Sequence, residues 1–192
     1  MWNTKRGDCT RKLQIGVMGS AADLKYSRDA EKAAEQLGEF IAKKGCILVF
    51  GAEKDYDSLS TAACRGAKKA GGLTVGVTYG TGKDVFQKEG IDIIIPSGME
   101  RGGGREFVLV SACDAVILIG GGSGTLNEAS VAYQLKIPIV ALVGYGGWAD
   151  KLANKYIDGR KRFKVVPARK PKKAVELAIK LAEKSLKGFE KE

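Results

Sequence analysis

The sequence predicts a single-domain, Rossmann-like α/β fold, a doubly wound parallel sheet flanked by helices, and three observations carry that prediction. Short apolar runs alternate with longer stretches of helical period, and the connections between them are short and rich in glycine. One run, Ala115-Val116-Ile117-Leu118-Ile119, is apolar at every position, as a strand covered on both faces must be.

Taken in order, residues 13–18 read as the first strand, ending in Gly19-Ser20. Ala30, Ala33, Ala34, Leu37, Phe40 and Ile41 then recur at helical spacing, and Gly45 is the residue type that ends such a helix. Residues 46–50 form a second buried strand. Leu59, Ala62, Ala63, Ala67 and Ala70 mark a second helix closed by Gly71-Gly72, and 73–78 is the third strand. A strand at 91–95, the loop Gly102-Gly103-Gly104 and a helix over 105–112 precede the central strand at 115–119. Beyond it come a helix bearing Leu126, Ala129 and Leu135, a strand at 138–143, a helix over 148–157 and a short strand at 163–166. Ala174, Leu177, Ala178 and Leu181 are the buried stripe of a closing helix. No repeat or linker interrupts this pattern, so the domain is expected to span 11–187 between tails of 1–10 and 188–192.

Composition removes several kinds of chemistry. With 192 residues, 44% hydrophobic and 28% charged, the chain has the make-up of one soluble globular domain. No apolar run approaches the roughly 18–20 residues of a membrane span, and residues 1–12 lack the apolar core of a signal peptide, so the expected location is the cytoplasm, away from membranes. Histidine is absent, which excludes Ser-His-Asp and Cys-His catalysis and imidazole metal ligation. Cys9, Cys46, Cys64 and Cys113 form no CxxC pair and are expected to be reduced, mostly buried thiols. The net charge of +10 raises the question of a polyanion partner. Its basic residues gather in the N-terminal tail and between Gly159 and Lys173, without interleaved aromatics, which argues against nucleic acid.

Ligands of an open parallel sheet bind beyond the carboxyl ends of its strands. Three strand-to-helix loops are therefore candidate walls: Gly19-Ser20-Ala21, Gly51-Ala52-Glu53-Lys54, and Gly120-Gly121-Gly122-Ser123-Gly124-Thr125. The last is the strongest signal. Consecutive glycines let the backbone approach an anion, the helix N-terminus favours phosphate, and Ser123 and Thr125 add hydroxyl donors. Tight strand-to-helix packing explains one or two of these glycines but not all of them. Two other phosphate motifs fail. The third glycine of a dinucleotide fingerprint is replaced by Thr125. The run Gly76-Val77-Thr78-Tyr79-Gly80-Thr81-Gly82-Lys83-Asp84 has one residue too many for a P-loop, with Asp84 where Ser or Thr would hold magnesium, and reads as a loop exposing Lys83.

Glu128 follows Thr125 at S/T-x-x-E spacing, which fits a capping box as well as a catalytic carboxylate. Arg105 is the other candidate, to orient phosphate or pair with Glu128. Arg105, Ser111-Ala112-Cys113-Asp114, the segment Gly121 through Glu128 and Gly146-Gly147-Trp148 resemble the LOG (Lonely Guy) family, often mislabelled lysine decarboxylases, and most of all its molybdenum-cofactor carrier-like branch. Gly16-Val17-Met18-Gly19-Ser20, Ala70-Gly71-Gly72 and Val75-Gly76-Val77 extend the similarity over most of the chain.

The resemblance implies a nucleoside 5'-monophosphate phosphoribohydrolase, which splits the N-glycosidic bond to release base and ribose 5-phosphate without a metal or redox cofactor. It assigns Glu128 the catalytic carboxylate and Arg105 substrate positioning. Gly121, Gly122, Gly124 and Thr125 become the phosphate cradle, and the assembly a homodimer or larger homo-oligomer. A carboxylate suits the oxocarbenium-like transition state of that cleavage. The alternative is a non-catalytic carrier holding a nucleotide or a phosphorylated pterin. Two departures bear on the choice. Glu106 stands where the phosphoribohydrolases have a basic residue, and Gly51-Ala52-Glu53-Lys54-Asp55-Tyr56 replaces a glycine-rich loop.

Overall fold

A computed structural model describes residues 11–82, 84–87, 89–100 and 103–189. Its seven strands are β1 (Gln14–Gly19), β2 (Ile47–Gly51), β3 (Thr74–Thr78), β4 (Ile93–Pro96), β5 (Ala115–Ile119), β6 (Ile139–Leu142) and β7 (Val166–Ala168). All pair in parallel, in the order β4-β3-β2-β1-β5-β6-β7. The helices are α1 (Arg28–Lys43), α2 (Leu59–Lys69), α3 (Gly104–Ser111), α4 (Ser123–Gln134), α5 (Gly147–Leu152) and α6 (Pro171–Phe189).

The alternation of β5 explains why its sequence is apolar throughout. Ala115, Ile117 and Ile119 face a core shared with α1, α2 and α6, while Val116 and Leu118 face a second core with α3, α4 and α5. Helices on both faces leave the strand no solvent side. Between α1 and α2 the backbones themselves touch. A Cβ at Gly38 would run into the Ala63 carbonyl, and one at Gly66 into the Glu35 carbonyl. The order in which strands are added across the sheet reverses at β1, whose neighbours are β2 and β5. A crevice therefore opens beyond the ends of β1 and β5, where ligands of such sheets bind.

Several expected elements shift. The helix expected over 148–157 stops at Leu152, because Ala153 turns to ψ 128° and Asn154 adopts φ +59°. The Asn154 amide donates to the Val165 carbonyl and the Val165 amide to that of Lys155, so a returning segment takes bonds a longer helix would have used. The last strand is accordingly 166–168 rather than 163–166, with only an isolated Tyr156–Lys164 bridge before it. Cys46, Cys64 and Cys113 are free and buried, as expected. Lys83, Gly102, Cys9 and the basic N-terminal tail lie outside the described residues.

Candidate functional site

All three loops singled out as walls meet at the crevice, in a cavity of about 200 Å³. Gly19 and Ala21 enter from β1, Gly51 and Glu53 from β2, and Gly122, Ser123, Gly124 and Thr125 from the start of α4. Arg105, Glu106 and Glu128 complete the interior. This volume lies below the roughly 300–1,000 Å³ of drug-sized ligand sites.

The glycine run divides into a structural half and an open half. Gly121 sits at φ +96°, where a Cβ would collide with Thr125, and its N–H donates to Ser20 Oγ at 2.7 Å. Behind it, the backbone amides of Trp148 and Ala149 donate to the carbonyls of Gly121 and Gly120. Gly147 must be glycine for that approach, since a Cβ would strike the Gly120 carbonyl. With the loop's carbonyls drawn toward α5, its amides face the other way. The first α4 amide bonded within the helix is Leu126 N–H, to Gly122 O. The N–H groups of Ser123, Gly124 and Thr125 therefore have no intrahelical acceptor. Gly122 supplies no side-chain cap, and a Cβ on Gly124 would meet nothing within 4 Å.

Thr125 is the third residue of α4 and not its N-cap, so the capping-box reading of Glu128 does not hold. Glu128 is 6% exposed and lines the cavity. Burial pushes its carboxyl up to about 8 against the pull of the Arg105 guanidinium, with Glu106 and Glu53 adding to the rise. Burial thus favours the protonated form of this carboxyl.

Arg105 is almost wholly buried, and its Nη2 donates to Glu53 Oε1 at 2.9 Å and to the Tyr79 hydroxyl at 2.5 Å. Glu106 Oε1 lies 3.3 Å from the same nitrogen and accepts the Tyr79 hydroxyl proton at 3.0 Å. The Tyr79 ring packs 4.3 Å from the guanidinium carbon. Desolvation would lower the Arg105 pKa, but at the high pH where an arginine would titrate Glu128, Tyr79, Glu53 and Glu106 outweigh it, so the guanidinium stays charged. Burial pushes the Tyr79 phenol up to about 12, with Arg105 opposing. Gly51 admits this arrangement, because a Cβ there would overlap Arg105 Nη1. Arg105 Nε and Glu106 Oε2 remain buried without hydrogen-bond partners, a cost of roughly 1–3 kcal/mol each that functional sites tolerate.

Of the residues predicted from sequence, Gly19, Gly122, Ser123, Gly124, Thr125, Arg105 and Glu128 come together around the cavity, while Ser20 and Gly121 bond to each other and shape its edge. Sequence reasoning missed Tyr79, Asp23 and Leu24, which also line it. Tyr79 directly follows a strand end, the signal that marked the three loops, but lay in a segment read only as a failed P-loop.

Comparison with known proteins adds a family. The sequence profile of the SLOG cluster4 family matches residues 12–175. The chain belongs to that family. This SLOG cluster4 protein is 33% identical over 135 residues to an uncharacterised protein of Archaeoglobus fulgidus, covering 67% of this chain and 83% of the relative. Among solved structures it is similar to the molybdenum cofactor binding protein of the phototrophic bacterium Rippkaea orientalis, at 30% identity and TM-score 0.74 over 90% of this chain and 98% of that one. The molybdenum cofactor carrier protein of Chlamydomonas reinhardtii matches at 29% identity and TM-score 0.73, over 89% and 98%. The LOG-like family, with its carrier-like branch, is thus the one that the Arg105, Gly121–Glu128 and Gly146–Trp148 segments indicated. No helix among the described residues is long and apolar enough to cross a membrane.

Proposed function

We propose that the cleft binds a phosphorylated small molecule, with the phosphate on the first-turn amides of α4 and the ring system toward Glu53, Glu106 and Glu128. The observation that carries this reading is Gly124. Nothing in the packing requires a glycine there, yet its bare backbone stands between two further unbonded amides at a helix N-terminus, the arrangement that holds phosphate. Gly122, Ser123 and Thr125 share the cradle, and Gly19, Ser20 and Gly121 shape it. Two ligand classes fit: a nucleoside monophosphate, and the phosphorylated pterin of the molybdenum cofactor, which the similar proteins from Rippkaea and Chlamydomonas are described as binding or carrying. In the second case the metal-bearing pterin is cargo. Native mass spectrometry of purified protein with AMP, GMP and inorganic phosphate tests the reading. Retention that Thr125→Ala weakens supports it, and no retention of any phosphorylated compound would overturn it.

A second reading is favoured by Glu128, whose buried carboxyl faces the same cleft: hydrolysis of the N-glycosidic bond of a nucleoside monophosphate. Arg105 would then hold Glu128 and Glu106 in place, while Glu128 would protonate the departing base and act as carboxylate once that proton is gone. Release of free base and ribose 5-phosphate, abolished in Glu128→Gln, is the expected result. Turnover that survives the substitution removes Glu128 from the reaction. The family resemblance also implies a homo-oligomer, which light scattering on the purified chain would measure.

A further inference from the structure

We propose that a second surface, at the opposite end of the sheet from the cleft, docks an acidic segment of a partner protein through one or two apolar anchor side chains. This surface is a groove of about 440 Å³ where β6 and β7 begin and α6 nears its end. Pro138, Ile139, Phe163 and Leu181 form its apolar floor, and Lys136, Lys164 and Lys184 its rim. The three lysines come from separate places: the turn after α4, the segment before β7, and α6.

Charge decides the occupant. No carboxylate lines the groove. None of the three rim lysines makes an ion pair among the described residues. Lys164 rests its ammonium over the Tyr156 ring at 5.3 Å. Asp158, in the same returning segment, is already bonded to Arg160 and to the Tyr133 hydroxyl. An apolar floor inside an uncompensated positive rim is complementary to apolar anchors flanked by acids, and like-charge repulsion excludes a basic partner.

An acidic peptide fits better than a nucleic acid. The floor is largely aliphatic, and the Phe163 ring is turned against Tyr133 with centroids 5.2 Å apart, so no aromatic platform is offered for base stacking. Strand addition is excluded too, because the edge strand β7 carries Pro167 at its centre and lacks that donor. Recognition therefore falls to side chains, with hydrophobic anchors providing hold and lysines providing approach. Since the phosphate cradle lies beyond the carboxyl ends of the strands, a partner seated here leaves the cleft open.

The test is selection of a random twelve-residue phage-displayed library on the full chain, counter-selected against the Lys164→Glu/Lys184→Glu variant, whose fold is first checked by circular dichroism. The expected pool combines Asp or Glu with Leu, Phe or Trp. A fluorescein-labelled representative should bind the wild-type chain at least about tenfold more tightly than the charge-reversed variant and weaken as salt rises. Leu181→Ser, checked for fold in the same way, should also weaken it. No enrichment over the counter-selection, enrichment of peptides without acids, or equal binding to both proteins overturns the proposal. So does binding of oligo-dT alone that charge reversal abolishes, which would make this a nucleic-acid face.

Discussion

Replacing Glu128 by Gln should change how stability depends on pH. The chain has no histidine, so no imidazole titrates between the carboxylates and the thiols. Burial moves Cys64 up to about 12 and raises Cys46 and Cys113 as well, taking them further out of that window. Among the described residues Glu128 alone is moved into it, from an ordinary 4.5 to about 8. The folded protein therefore keeps a proton that the unfolded chain has already released. Above pH 4.5 the unfolded state gains from ionising and the folded state does not, so stability falls with rising pH until Glu128 ionises in place near pH 8, and then levels off. At about 1.4 kcal/mol for each tenfold displacement, the ceiling on this loss is about 5 kcal/mol, with a few kcal/mol expected. Gln has the same shape and no charge, so its curve lacks the decline. Urea unfolding of both proteins from pH 5 to pH 9 measures the difference. A gap between the two stabilities that stays constant over this range would refute the account of a carboxyl kept neutral by burial.

Three further outcomes follow from packing. Gly124→Ala should leave the melting temperature unchanged or slightly raised, because its Cβ meets nothing, yet lose at least about tenfold in phosphate-ligand affinity, whereas Gly121→Ala should fail to fold normally; thermal melts with and without AMP separate the two. Gly38→Ala or Gly66→Ala should cost roughly 1–3 kcal/mol in urea unfolding, since each forces α1 and α2 apart at a backbone contact. Arg105→Ala should destabilise by about 3–5 kcal/mol at pH 7 in urea unfolding, because Glu53 and Glu106 would then lose a buried partner.

Strand and helix alternation, the parallel sheet and the central position of β5 were legible because each rests on a local pattern of apolar residues. The ends of α5 and β7 were not, since the bonds between Asn154, Lys155 and Val165 that stop one and delay the other join residues ten or so positions apart. The glycine loop stood out by its repetition as a candidate anion site. Sequence could not separate Gly121, glycine because Thr125 crowds it and its φ is +96°, from Gly124, glycine with empty space around it. The same limit applied to Thr125 and Glu128, whose spacing fits both a capping box and a cleft. Which one holds depends on where α4 starts, and Gly122 as N-cap is decided by the tertiary bonds of Trp148 and Ala149 to the loop.

Glu106 has a consequence that its single change of sign does not show by itself. Because Glu53, Tyr79 and Glu106 all converge on Arg105 Nη2, the positive charge of Arg105 is answered inside the protein, and on the proposed reading a bound anion falls to the α4 amides. Glu106 thus works against a phosphate in the cleft while keeping Arg105 on its own side. Glu106→Gln preserves the side-chain shape and an oxygen for the Tyr79 hydroxyl, and removes one negative charge. At an effective dielectric of about 20, two unit charges on the order of 10 Å apart interact by roughly 1–2 kcal/mol. Allowing for the open mouth of the cleft, inorganic phosphate and AMP should each bind about tenfold more tightly to the Gln variant, with the gain shrinking at high salt. Isothermal titration at two ionic strengths reads both effects. Equal or weaker binding by the variant would mean that the anionic end of the ligand lies out of reach of Glu106, and the cradle would have to be sought away from the first turn of α4.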